Sequence, residues 1–199
     1  MNGSPFNSPS ATPSLANLLA LLSPQSPSLY DIPKRPRIFV SYQHSTDQKY
    51  YDEFSAKFHD SYESIYDNSL ERKIDSDNPE YVIQRIRDDF ITSTSCTILL
   101  VGPTTYQRKY IDWEIKATLD KEHGLVGFQL PNAFNAFSDR ITAPARFAQN
   151  VNSGYALWHG ISWQQIMVNP PVLNALVYDA TNRDKRLIVN PNEIKKQNG

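Results

Sequence analysis

Glycine is scarce. The chain of 199 residues has seven, at positions 3, 102, 124, 127, 154, 160 and 199. Neither a GxGxxG nor a GxxxxGK[ST] run can be built from them, so the backbone cradles of dinucleotide redox and P-loop phosphoryl transfer are missing. A G-x-S-x-G nucleophile elbow is missing too. A single cysteine, Cys96, leaves no disulfide framework and no thiolate metal site. It lies inside an apolar run, reads as a buried structural thiol, and is consistent with a reducing, cytoplasmic setting. The four histidines, His44, His59, His123 and His159, are far apart and form no HExxH, so no metal site is expected. Charge of one sign is also lacking: 20 basic against 21 acidic residues give a net charge of −1. The patch at Lys34, Arg35 and Arg37 is too short to alter that, so neither a nucleic acid nor an anionic membrane is expected as a partner. No apolar run is long enough to span a bilayer. The run Leu15–Leu22 has no Lys or Arg before it, the first being Lys34, so it does not read as a signal peptide.

What is present divides into an arm and one domain. Residues 1–36 hold seven of the 14 prolines together with seven serines, and so read as a mostly disordered arm. The exception is a short helix over 14–22. Ser14 can cap it, Leu15, Leu18, Leu19 and Leu22 follow the i, i+3, i+4, i+7 pattern, and Pro24 stops it. So short a helix is marginal alone and must dock on its own domain or on a partner.

From residue 37 onward strands and helices alternate. Arg37–Tyr42 opens as a strand, followed by a helix that Thr46 or Asp47 can cap and that buries Tyr51, Phe54 and Phe58. Ser64–Tyr66 is a weak second strand, and residues 67–78 read as a long polar loop. Asn78-Pro79 starts a helix with Val82, Ile83, Ile86 and Phe90 on its apolar face. The continuous apolar run Cys96–Val101 reads as a strand buried on both faces. A helix over 110–121 points Ile111, Ile115 and Leu119 inward, and His123-Gly124 reads as its end. Strands at 125–130 and 155–158 and a helix after Pro170-Pro171 complete the set, while residues 131–153 show no clear period. This alternation predicts a parallel sheet with helices on both faces and ligands bound beyond the carboxyl ends of its strands. Residues 41–47 and 102–114 lie at that edge.

The chemistry available there is a carboxylate beside aromatic rings. Tyr110 and Glu114 are four apart, hence on one helix face, about 100° from the Ile111/Ile115/Leu119 stripe. Asp112 has Lys116 at i+4, whereas Glu114 has no ion-pair partner at i±3 or i±4. A carboxylate on a half-exposed face beside aromatic surface suits a sugar hydroxyl and a flat ring. The alternative is a solvated helix residue, as most surface carboxylates are. Trp113 reads as sheet cover or as a binding surface, and spacing does not decide between them.

The opening strand, Arg37-Ile38-Phe39-Val40-Ser41-Tyr42, resembles the first-strand motif of TIR domains. The segment Cys96–Ile115 resembles the TIR strand and helix that carry W-x-x-x-E, with Tyr110 where the Trp would stand and Glu114 on the Glu. Residues 37–130 are most similar to the TIR-like proteins of Thoeris anti-phage systems, the ThsB type. The resemblance implies a flavodoxin-like, five-stranded parallel sheet with helices on both faces, spanning a TIR-like domain at 37–199. It also implies NAD as substrate rather than as a bound cofactor. Nicotinamide would be released together with linear or cyclised ADP-ribose, a signal for a downstream effector. Glu114 would be catalytic, and Phe39, Ser41, Tyr42, Gln43, His44, Tyr110 and Trp113 would bind NAD. Tyr110 in place of Trp gives a smaller stacking surface, and the 67–78 loop departs from the loop through which such domains self-associate. The competing reading is a non-catalytic TIR-like module that recruits protein partners.

Overall fold

A computed structural model of the chain describes residues 5–6, 37–62, 65–67, 78–133, 141–159 and 163–199. The helix expected over 14–22 and most of the loop at 67–78 lie outside the described residues. Five strands, β1 (Ile38–Ser41), β2 (Ile65–Asp67), β3 (Cys96–Val101), β4 (Gly124–Gln129) and β5 (Leu157–His159), pair in the order β2-β1-β3-β4-β5. All neighbours are parallel. The order reverses direction between β1 and β3, which puts the topological switch point beside the carboxyl ends of those two strands. Apart from this sheet, Pro5–Phe6 pairs antiparallel with Ile141–Thr142.

The helices are α1 (His44–Phe58), α2 (Pro79–Ile86), α3 (Lys109–Asp120), α4 (Ala145–Asn152), α5 (Trp163–Val168) and α6 (Pro170–Thr181). Each strand side chain alternates between two cores. On one face Ile38, Val40, Ile98, Leu100, Val126 and Phe128 pack with α1, α5 and α6 through Phe54, Phe58, Trp163, Ile166, Leu173 and Leu176. On the other, Leu99, Val101 and Leu125 meet Ile111, Ile115 and Leu119 of α3 and Phe147 of α4. Phe39 on that same face meets Val82, Ile83 and Ile86 of α2 and Trp113 of α3. β3 is buried at all six positions, as its unbroken apolar run requires. Its Cys96 thiol is fully buried, and burial pushes its pKa far up.

Local signals explain most boundaries. Asn78 Oδ1 accepts from the backbone N–H of Glu80 and Tyr81, and Pro79 occupies the first turn of α2, which then widens into a π-turn over Arg87–Ile91. Two expected caps differ. α1 starts at His44 without a side-chain cap, so neither Thr46 nor Asp47 caps it, and Asp47 is instead buried inside the first turn. α3 ends at Asp120, and Glu122 (φ 56°) takes the left-handed position expected of Gly124. Gly124 opens β4, where a Cβ would stand 2.9 Å from the backbone of Ala180 and Thr181. The strands expected at 125–130 and 155–158 run over 124–129 and 157–159, and α4 occupies part of the stretch without period.

Residues 188–199 form no regular element, yet they cross the outer side of α3. Asn190 Nδ2 donates to Asp120 Oδ1 (2.7 Å) near the end of α3, and Trp113 Nε1 donates to the carbonyl of Lys195 (2.9 Å) midway. At the start of α3 the backbone N–H of Lys109 donates to Asn198 Oδ1 (3.0 Å), and Gly199 N–H donates to the Gln107 carbonyl (2.9 Å).

Candidate functional site

β1 and α3 bring together two residues 73 positions apart. The register sets Ser41 opposite Leu99, so its side chain faces the α3 side of the sheet, like that of Phe39 two residues before it. Ser41 Oγ donates to Glu114 Oε2 at 2.5 Å. Ser41 is fully buried and Glu114 is 2 % exposed. The expectation of a half-exposed, unpartnered carboxylate is therefore corrected. The face of α3 turned away from the Ile111/Ile115/Leu119 stripe packs on β1, not on solvent. One turn on, Thr118 Oγ1 donates to the Glu114 carbonyl (2.8 Å) and lies 2.6 Å from Thr97 Oγ1 of β3. A buried polar seam thus runs between α3 and strands β1 and β3.

The expected pairing of Asp112 with Lys116 is also corrected. Asp112 accepts from Arg146 of α4 (Oδ1 to Nε, 2.9 Å), and Lys116 pairs with Asp120 (3.0 Å). Arg146 is nearly fully buried and also donates to Asn190 Oδ1 and the Pro191 carbonyl (both 2.8 Å). A guanidinium with its fork filled by carbonyl and carboxylate oxygens outcompetes a flexible lysine at i+4.

The other expected site residues fall into three groups. Gln43, 4 % exposed, sits just beyond β1 among Ser45, Thr104 and Arg108. The amide orientation that satisfies all three neighbours has its nitrogen donating to Thr104 Oγ1 (2.5 Å) and its oxygen accepting from Arg108 Nε (3.0 Å). Tyr42 turns to the opposite face, stacks on Tyr51 (4.6 Å, 8°), donates to Gln48 Oε1 (2.9 Å) and stands 3.5 Å from His44 Nδ1. Phe39 and Trp113 pack together under α2, and Tyr110 meets Trp113 edge-on (5.0 Å, 63°). The structure therefore brings Ser41 and Glu114 together, holds Gln43 above the β1 end, and uses Trp113 and Phe39 as cover between helix and sheet.

Further polar residues at this edge were not among the expected site residues. Asp47 is fully buried, and its Oδ1 accepts from Asn132 Nδ2 just beyond β4 (2.9 Å). Its Oδ2 has no hydrogen-bond partner among the described residues. Burial raises its pKa above the usual carboxylate value, against the lowering effect of the Asn132 and Thr46 hydrogen bonds. Thr118 had a sequence signal in its i+4 spacing from Glu114, and Arg108 lies within the 102–114 segment expected at this edge; Asn132, on a loop, had none. Among the described residues no three His, Cys, Asp or Glu side chains gather as a metal-ion site. No helix among them is long and apolar enough to cross a membrane.

Residues 39–135 match the protein family described as Thoeris protein ThsB, TIR-like domain. No curated protein matches the chain.

Proposed function

We propose that the chain, whose residues 39–135 match the TIR-like domain family of Thoeris protein ThsB, cleaves NAD between nicotinamide and ribose as a step in anti-phage signalling. The observation that carries this reading is the Ser41–Glu114 hydrogen bond at the carboxyl end of β1, beside the switch point of the sheet. In the reaction the C–N bond breaks and its electron pair leaves with the neutral pyridine ring. The ribose is left as an oxocarbenium-like cation. A carboxylate stabilises that charge and holds the ribose hydroxyls, and no general acid is required at the leaving group. Water captures the cation to give ADP-ribose and a proton, or a nucleophilic atom of the same molecule closes a ring. Glu114 supplies the carboxylate. Ser41 fixes its rotamer, which keeps the charge where it is needed without reorganisation. Arg108 stands against Gln43 just beyond β1, where a guanidinium suits the pyrophosphate.

The test is incubation of the purified protein with NAD, with products resolved by chromatography and mass. Release of nicotinamide, abolished in Glu114→Gln, is the expected result. Intact NAD at all protein concentrations, alone or self-associated, would refute it.

One observation favours a second reading. Glu114 is almost completely enclosed, so in this conformation its carboxylate is closed to substrate. A TIR-like module that recruits a protein partner and never opens would keep the seam as packing. In that case Glu114→Gln would change stability and leave signalling intact.

A further inference from the structure

We infer that residues 190–199 are a positioning strap for α3, and through it for Glu114. This rests on the catalytic reading above for its effect on rate, but not for its effect on the helix. α3 has no side-chain cap of its own at Arg108. The cap comes from Asn198, whose Oδ1 accepts from the N–H of Lys109 (3.0 Å). An N-terminal cap satisfies a backbone donor that the helix cannot. Here that donor is satisfied from 89 residues away.

The strap runs antiparallel to the helix and touches it at every turn. Asn190 meets Asp120 near the end of α3. Lys195 straddles the two residues before Glu114: its N–H donates to Asp112 Oδ2 (2.9 Å), and its carbonyl accepts from Trp113 Nε1 (2.9 Å). Lys195 Nζ donates to the Tyr106 carbonyl (3.2 Å), and Gly199 N–H donates to that of Gln107 (2.9 Å), both in the turn that leads into α3. Arg146 locks the middle of the strap through the carbonyls of Pro191 (2.8 Å) and Glu193 (2.5 Å) while holding Asp112. Ile194 adds an apolar contact to the Phe39–Trp113 cluster.

The sheet side of α3 is secured by Ile111, Ile115 and Leu119, whose packing does not involve residues 190–199. Removing the strap therefore leaves the helix docked by its apolar stripe. It loosens the outer side of the first two turns, which carry Glu114, and frees the helix start that Asn198 caps. A carboxylate displaced by even about 1 Å from its productive geometry loses much of its catalytic effect, whereas ground-state contacts elsewhere in the pocket persist. This predicts a fall in kcat rather than a rise in KM.

The experiment compares the full chain with a chain ending at Pro191 and with Asn198→Ala and Asn198→Asp. Hydrogen exchange is read at the amides of residues 112–118 and of β3, and nicotinamide release is followed as kcat and KM. In the shortened chain the α3 amides should exchange at least tenfold faster while those of β3 are unchanged. Its kcat should fall about tenfold with KM within about threefold, and a peptide of residues 192–199 added in trans should restore both. Asn198→Asp, which keeps the cap, should behave as the parent, and Asn198→Ala should lie between. Unchanged α3 exchange in the shortened chain overturns the strap. Unchanged kcat with faster exchange overturns its positioning role. Failure of the full chain to cleave NAD sinks the catalytic reading alone, and the exchange result then decides the strap on its own.

Discussion

Asp47 lies against the α-carbon of Gly102. A Cβ built on Gly102 would come 2.7 Å from the Asp47 carboxyl carbon, well inside contact distance. The first turn of α1 and the turn after β3 therefore meet only because residue 102 has no side chain. Gly102→Ala should destabilise the protein by about 1–3 kcal/mol, the cost of overpacking a closed core. Urea denaturation measures it. In an Asp47→Ala background the penalty should shrink, because the atoms it meets are gone. Strict additivity of the two substitutions would show that the contact is not the cause.

The same carboxyl group gives a pH dependence with a defined sign. Burial raises the Asp47 pKa in the folded protein. The native state therefore favours the protonated form. Asp47 contributes its full stability below the unfolded carboxylate pKa and loses it as pH rises through the elevated native value. Asp47→Asn cannot ionise. Its Tm relative to the parent should rise between about pH 4 and about pH 7. A constant difference across that range would mean that Asp47 titrates in the fold as it does in the unfolded chain.

For the seam between α3 and β1, Glu114→Gln keeps size and removes charge, and nicotinamide release should fall by about 100-fold or more. Ser41→Ala removes the donor at 2.5 Å from Oε2. Activity should fall about tenfold, and stability should drop by about 1–3 kcal/mol, because a buried carboxylate loses a hydrogen bond that water does not replace. Equal activity of Ser41→Ala and the parent would separate Ser41 from the orientation of Glu114.

Arg146→Met should be among the costliest single changes. The guanidinium is about as buried as any core side chain and serves Asp112, Asn190, Pro191 and Glu193 together. Removing it takes away the cation paired with Asp112 and leaves that carboxylate the Lys195 N–H, at a cost of about 3–5 kcal/mol. Thermal unfolding checks this, and Arg146→Met with Asp112→Leu should recover part of the loss.

These residues also show where sequence patterns stop being informative. The β3 run and the Ile111/Ile115/Leu119 stripe were legible because an apolar period survives when its partners are apolar. α4 was not legible, because Arg146 and Asn150 are among its buried residues, so its inward face reads as polar. Asp112 was assigned to Lys116 by the i+4 rule, which sees only the helix, while its true partner comes from α4. The Ser41–Glu114 contact could be expected from the resemblance of two motifs, but no spacing rule brings positions 73 apart to one hydrogen bond. Residues 190–199 carry no periodic pattern, and most of what they offer α3 is backbone carbonyls and N–H groups, which every sequence has.

Cys96 lends itself to timing. It is the only cysteine in the chain and sits at the first position of β3, fully enclosed, with its thiol held protonated by its surroundings. A thiol reagent added in excess can reach it only in molecules whose central strand has come apart, because local fraying of α3 or loosening of residues 190–199 leaves β3 paired on both sides. The labelling rate of this single sulfur is therefore an internal stopwatch for whole-domain opening. It distinguishes substitutions that unfold the domain from those that only shift α3.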